Sequence, residues 1–228
     1  MKARKRISVI VGHYGSGKTE ISVNMAIQFK KRYNRVAILD LDITNPYFRS
    51  RERQNKLEAL GIGVYFNTYE FDIGENLPAV GAIVKAPLED GETYTVCDAG
   101  GNDCGARLLK QFDKFFDYSD ILCVINANRP DTRDLAGCLQ MIEELQIEIG
   151  RKITGIINNT HMLRDTAPAD VVKGDALCRE IEKVSGIPFL YSTAPEQVVE
   201  KMSKEGLLES VGPVEKLTLQ MRPTWLDK

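Results

Sequence analysis

The residues Gly12-His13-Tyr14-Gly15-Ser16-Gly17-Lys18-Thr19 satisfy G-x-x-x-x-G-K-S/T in full. Each residue type in that string has a use in holding a polyphosphate. Glycines let the backbone curl until successive N–H groups point inward at phosphate oxygens. A helix that starts at the lysine brings its partial positive N-terminus to the same place. Lys18 then reaches the β- and γ-phosphates, and the Thr19 hydroxyl ligates Mg²⁺. Average residue usage puts a chance match in a chain of this length at roughly one in a hundred or less. A Gly-rich turn that binds nothing has no use for Lys-Thr after its last glycine. The string predicts binding of a nucleoside triphosphate with magnesium.

Two acidic groups complete the constellation. Val36-Ala37-Ile38-Leu39-Asp40-Leu41-Asp42 places two carboxylates two residues apart at the end of an apolar run. On a strand that spacing points both the same way, at the edge where the crevice of a parallel sheet opens. They suit the water shell of Mg²⁺ and the orientation of an attacking water. Val96-Cys97-Asp98-Ala99-Gly100-Gly101 is an apolar run ending in Asp, and Asp98 to Gly101 spells D-x-x-G. The glycine N–H of such a turn can meet a γ-phosphate and register its loss. Elsewhere these acids would read as helix caps or turn residues.

Groups so far apart in sequence need a scaffold that gathers them. Short apolar runs alternate with helical periodicity along the chain. Strands are predicted at Ile7–Val11, Val36–Asp40, Thr93–Cys97, Ile121–Asn126, Ile153–Ile157 and Pro188–Tyr191, with a weaker one at Val64–Phe66. Several are nearly continuous apolar runs, the pattern of strands covered on both faces. A helix is predicted from Lys18 to Tyr33. Leu135, Leu139, Ile142, Leu145 and Ile149 recur at three- and four-residue steps, and Leu177, Ile181 and Val184 repeat the period. This is the order of an α/β protein with a mostly parallel, doubly wound sheet. Tyr65–Gly91 reads as an elaborated crossover. With no linker, repeat or low-complexity tract, one domain over residues 1–228 is expected.

Composition agrees and excludes several classes. The 228 residues are 43% hydrophobic and 27% charged, which rules out collagen-like, coiled-coil and largely disordered chains. A chain this long buries about 70% of its unfolded surface and needs no disulfide or structural metal. Thirty Lys+Arg against 32 Asp+Glu give a net charge of −2, so no global cationic field draws the protein to nucleic acid or anionic lipid. Five cysteines, at 97, 104, 123, 138 and 178, form no C-x-x-C pair. They are expected to be reduced, with Cys97 and Cys123 buried as small hydrophobes. Two histidines, His13 and His161, are too few for a His-rich zinc site. The basic start, Met1 to Arg6, is followed by only five apolar residues, short of a secretory signal, and no window approaches a membrane span. A cytoplasmic location is expected, and the C-terminal Leu217 to Trp225 is expected to dock onto the fold.

Gly17-Lys18-Thr19 with Asn24-Met25-Ala26, Ile38 to Asp42, and Cys97 to Gly101 resemble the MinD/ParA/CobQ-type P-loop ATPases of the SIMIBI class. The resemblance spans Ile7 to about Met202. The longer strings Gly12 to Glu20 and Asp40 to Arg51 are similar to a less characterised bacterial branch. It implies a three-layer α/β/α P-loop fold that binds ATP and Mg²⁺ through Gly12, His13, Tyr14, Gly15, Ser16, Gly17, Lys18, Thr19 and Glu20. It implies Thr19, Asp40 and Asp98 around the metal, Lys18, Asp42 and Asp98 in catalysis, and Gly101 in the second switch. Asn158 matches the residue at the adenine edge, and Thr193-Ala194-Pro195-Glu196 resembles the loop over the base.

The class usually carries a second lysine just after the first glycine of the loop, which reaches across an ATP-sandwiched dimer. This chain has His13 there, and a neutral imidazole supplies one N–H donor without a fixed charge. Arg49, Arg51, Arg53 and Arg129 are the candidates for a replacement cation. Asn158-Asn159-Thr160-His161 lacks the Lys and Asp of a guanine-reading N-K-x-D segment, which favours ATP. Three functions follow: a slow Mg·ATPase acting as a nucleotide switch for a protein partner, a small-molecule kinase or ATP-dependent ligase, and a non-hydrolysing nucleotide-binding adaptor. A homodimer is compatible with the first. Metal delivery through Cys97 and Cys104 has only a weak basis in their spacing.

Overall fold

A computed structural model describes residues 5–41, 53–66, 82–99 and 112–221. The apolar runs form strands β1 (Ile7–Val11), β2 (Val36–Asp40), β3 (Ile62–Phe66), β4 (Tyr94–Asp98), β5 (Ser119–Ile125), β6 (Gly155–Asn158), β7 (Phe189–Pro195) and β8 (Val214–Leu217). All seven pairings are parallel, in the order β3-β2-β4-β1-β5-β6-β7-β8. The described helices are α1 (Lys18–Lys30), α2 (Gln54–Ala59), α3 (Ala82–Glu89), α4 (Asp113–Phe116), α5 (Leu135–Ile149), α6 (Pro168–Ser185) and α7 (Glu196–Lys204). The doubly wound parallel sheet expected from the sequence is present.

The continuous apolar runs have the reason anticipated for them. Ile7, Val9 and Val11 of β1 join a core with Val84 and Leu88 of α3, Met141, Ile142, Leu145 and Ile149 of α5, and Cys178 and Ile181 of α6. Ile10 joins a second core with Ile21, Met25 and Phe29 of α1 and Leu57 of α2. Helices therefore cover both faces, giving three layers. Phe29 is fully buried, and such a side chain contributes about 1.5–3 kcal/mol by leaving water. It also meets Tyr33 and Tyr94 edge-on, and those two rings stack 3.4 Å apart.

Local chemistry sets the helix ends. Asp134 caps α5 by accepting from Gly137 N at 3.0 Å, and Gly150 ends it at φ 72°. Pro168 opens α6, and Asp170 Oδ2 accepts from Ala167 N at 2.8 Å. Helix α1 stops at Lys30, three residues before the expected Tyr33.

Two basic residues of the N-terminal stretch have structural work. Arg6 donates to Pro87 O and Leu88 O at the end of α3 and to Thr93 O, and Lys5 Nζ donates to Asp117 O and Ser119 O. Cations there complement the carbonyl end of a helix. No described helix is long and apolar enough to cross a membrane. The sequence reading made no prediction of α2, α3, α4 and α7, and among the described strands β8 is the one with no counterpart in it. Its Val-Glu-Lys-Leu is short and half charged, as an edge strand tolerates, and carries no apolar run to read.

Candidate functional site

The phosphate loop joins β1, near the middle of the sheet, to α1. Gly12, Gly15 and Gly17 all have positive φ, at 145°, 74° and 87°. At Gly12 and Gly17 space adds to conformation. A Cβ would lie 2.5 Å from Val124 O at the first and 2.3 Å from Asn159 Nδ2 at the second. The loop is thus moulded against the ends of β5 and β6, and only glycine fits. Lys18 Nζ donates to His13 O at 3.1 Å, so the ammonium is held over the loop. Ser16 Oγ is buried without a hydrogen-bond partner, a cost that a phosphate oxygen would remove.

Beside the loop, Asp40 and Asp98 are register partners on adjacent parallel strands, both buried. Ser22 Oγ of α1 donates to Asp98 Oδ1 at 3.2 Å, which ties the acid to the loop's own helix. Among the described residues no three His, Cys, Asp or Glu side chains cluster closely enough to hold a metal by themselves. Mg²⁺ keeps several waters and takes one or two carboxylates plus phosphate oxygens. Thr19, Asp40 and Asp98 are the residues that would hold it. Asp42, Gly101, Cys104, Arg49 and Arg51 lie outside the described residues.

The β5–α5 loop grips the phosphate loop from the far side. Arg129 Nε donates to Gly15 O at 3.0 Å, and Asn126 Nδ2 donates to the same oxygen at 3.4 Å. Asp131 Oδ2 lies 3.3 Å from His13 Nε2, and His13 Nδ1 lies 3.0 Å from Tyr14 O. Both ring nitrogens of His13 therefore face oxygens of its own chain.

A cavity of about 270 Å³ runs from Gly15, Gly17, Lys18 and Thr19 past Arg129 and Asn159 to Thr193, Pro195, Leu217, Leu219 and Met221. Pro195 is where the base-covering loop was expected. Asn158 is not on the cavity wall. Its Nδ2 donates to Val171 O and Ser192 Oγ, its Oδ1 accepts from Thr160 N, and it is fully buried. Asn159 faces the cavity instead, donating to Ser16 O at 2.7 Å and accepting from Thr193 Oγ1 at 2.8 Å. Asn159, His161, Leu163 and Thr166 of the wall, and Leu217, Leu219 and Met221, were not among the ligand-binding residues expected from the sequence. The doubled Asn158-Asn159 was the signal for the first of them. Glu20, expected among the ligand-binding residues, lines the cavity with its carboxylate turned to protein. It accepts from Gln220 N, from Met221 N at 3.1 Å and from Asn24 Nδ2 at 3.2 Å. Burial raises its pKa above the usual carboxylate value despite those bonds.

Cys97, Cys123, Cys138 and Cys178 are buried thiols, as small hydrophobes would be. Burial pushes Cys97 and Cys123 up to about 12, far from the thiolate that would ligate a metal. A folded-state pKa raised this way favours folding below the unfolded value of about 8.5 and loses that contribution as pH rises toward 12. Between pH 8 and pH 10 Cys123 is expected to cost roughly 2 kcal/mol of stability. Urea unfolding of the wild type and Cys123→Ala at both pH values checks it. A stability difference between the two proteins that is the same at both would exclude the effect.

A strand–glycine loop–helix unit ending in Lys-Thr, with two strand-end carboxylates beside it, defines a P-loop nucleotide-binding protein. Residues 7–200 match the CobQ/CobB/MinD/ParA nucleotide binding domain (CbiA), and the chain belongs to that family. A comparison with curated proteins finds no match.

Among solved structures, the chain is similar to the cell division protein FtsY of Thermotoga maritima, with 18% identity over 86% of this chain and 64% of that one, at a TM-score of 0.54. It is similar to the signal recognition particle 54 kDa protein of Aeropyrum pernix K1 in complex with GDP, with 23% identity, 90% and 48% coverage and a TM-score of 0.55. A third is the receptor FtsY of Elizabethkingia anophelis in complex with GDP, with 17% identity, 86% and 59% coverage and a TM-score of 0.53. The chain spans between 48% and 64% of the length of these three, and at such identities the likeness is one of fold.

Proposed function

We propose that the protein binds Mg·ATP and hydrolyses it slowly as a nucleotide switch. The observation that carries this reading is the formed phosphate loop, with Lys18 and Thr19 at the head of α1 beside the register pair Asp40 and Asp98. Lys18 exchanges its bond to His13 O for phosphate oxygens, and Ser16 Oγ gains the partner it lacks. Bound Mg²⁺ would supply neutralisation of charge on the transferred phosphoryl group. Asp42 orients the attacking water. The water oxygen bonds to the γ-phosphorus as the bridging bond to ADP breaks, and the water proton leaves with inorganic phosphate. Arg129, already on the cavity wall of the same chain, supplies the cation that His13 does not. Loss of the γ-phosphate is relayed through the segments around Asp42 and Gly101 to a protein partner.

Adenine is favoured by what the base end offers. Guanine recognition needs a carboxylate to accept from the ring N–H and the exocyclic amine, and a site without those partners loses discrimination. Glu20 is the only carboxylate among the described lining residues, and it accepts from Gln220 N, Met221 N and Asn24. GTP is the necessary comparison, since two of the similar structures hold GDP.

Phosphate release from Mg·ATP and Mg·GTP over a wide range of protein concentration tests the reading. Slow turnover selective for ATP is expected, at a rate per molecule that stays flat as protein concentration rises. Preference for GTP would overturn the assignment of the base. Release that needs an added small-molecule acceptor would replace the switch with a kinase or ligase.

A further inference from the structure

Residues 217–221 lie beyond the stretch 7–200 that matches the family, yet they form part of the cavity wall. Their backbone is fastened to α1 by two side chains that follow the phosphate loop. Asn24 Nδ2 donates to Thr218 O at 2.8 Å and Asn24 Oδ1 accepts from Thr218 N at 3.0 Å, the pattern of a strand neighbour supplied by an amide. Glu20 accepts from Gln220 N and Met221 N. Lys56 Nζ of α2 donates to Gln220 Oε1 at 2.6 Å. Five hydrogen bonds thus hold the five-residue segment to α1 and α2.

Those side chains divide between two tasks. Leu217 and Met221 are buried in the core shared with α1, and both also edge the cavity. Leu219, between them, is 37% exposed and lines the same cavity. An apolar side chain presented to a cavity by a fixed backbone is a surface for a flat, weakly polar group. The phosphates occupy the other end, at Gly15 to Thr19, so the group that reaches Leu219 is the base.

We propose that residues 217–221 form a strap that makes the base-side wall of the nucleotide cavity, with Glu20 and Asn24 as its latch and Leu219 as its contact with the base. The proposal rests on the nucleotide-binding reading and adds to it what sets affinity for the nucleoside half of the ligand. Glu20, directly after Thr19, is then a positioning residue that fixes the wall without touching the phosphates. Binding energy from the base depends on the strap, while binding energy from the phosphates does not.

Titration calorimetry of the full chain with Mg·ATP and with Mg·tripolyphosphate separates the two halves. Leu219→Ala is expected to bind ATP roughly tenfold more weakly, by loss of apolar contact, and tripolyphosphate as tightly as the wild type. Glu20→Ala and Asn24→Ala are expected to weaken ATP binding at least as much, through a released strap. Unchanged tripolyphosphate binding also shows that each variant is folded at its phosphate loop. ATP affinity left intact by Leu219→Ala would overturn the strap while leaving the nucleotide reading in place. Equal losses for both ligands would also overturn it, since the segment would then serve only the fold. A wild type that binds neither ligand would overturn the nucleotide reading and the strap together.

Discussion

Lys18→Ala is expected to lower phosphate release from Mg·ATP by at least about a hundredfold, the size of effect seen when one preorganised donor to a developing charge is removed. The side chain is buried at the head of α1, with Nζ 3.1 Å from His13 O inside the loop. A charge held in so enclosed a place interacts more strongly than one in water. Alanine cannot replace the ammonium, and water drawn into the gap is neutral. The fold should survive, because the loop's shape comes from its glycines and from Asn159, Asn126 and Arg129 bonding to its carbonyls. Turnover and thermal melting measured on the same preparation check this. A variant that melts like the wild type and still releases phosphate at more than a tenth of its rate would sink the assignment of Lys18.

Arg129→Ala is expected to cost about a thousandfold, the lower end of what an arginine at a phosphoryl group supplies. Of the two described arginines among those singled out in the sequence, Arg53 and Arg129, Arg129 is the one on the cavity wall, with its guanidinium against Gly15. A Cβ added to Gly15 would lie 2.8 Å from the guanidinium carbon, which shows how closely the two are laid together. Lysine should rescue little, since its point charge lacks the fork that holds Gly15 O while another nitrogen remains for phosphate.

The position also decides where the cation comes from. Mixing Arg129→Ala with Lys18→Ala restores turnover if the arginine acts on a neighbouring molecule's site, because each variant then supplies what the other lacks. Acting within its own chain, it predicts that the mixture stays as inactive as its components. His13 points the same way, since its ring is engaged by Asp131 and Tyr14 of the same chain.

The sequence made the phosphate end legible because its constraints are local. Ile7–Val11 is apolar except for Ser8 and stops at Gly12, Val36–Leu39 is apolar and stops at Asp40, and both predicted strands formed with the expected bounds. The register that puts Asp40 beside Asp98 follows from two such runs lying parallel, each ending in its acid. The base end was harder to read because long-range packing builds it. Whether Asn158 or Asn159 meets the cavity depends on α6, where Gly174 lets the helix lie against Asn158. A Cβ there would fall 2.1 Å from Asn158 Oδ1. The strap was invisible for a similar reason, since Glu20 was expected among the ligand-binding residues and Asn24 only within a helix motif, while both find partners about 200 positions away. The docking expected of the C-terminal segment holds for its described part, where Leu217 and Met221 are buried.

That separation sets an order of events during synthesis. The loop and α1 emerge within the first 30 residues, and the strands that flank β1 are complete by Ile125. Thr218 and Met221, which fasten to Asn24 and Glu20, leave the ribosome about 10–40 s after α1 at ordinary elongation rates of roughly 5–20 residues per second. A nascent chain therefore has a finished cradle for phosphates well before it has the wall that meets Leu219's ligand. During that interval the phosphate loop exists without the part of the cavity wall that residues 217–221 form.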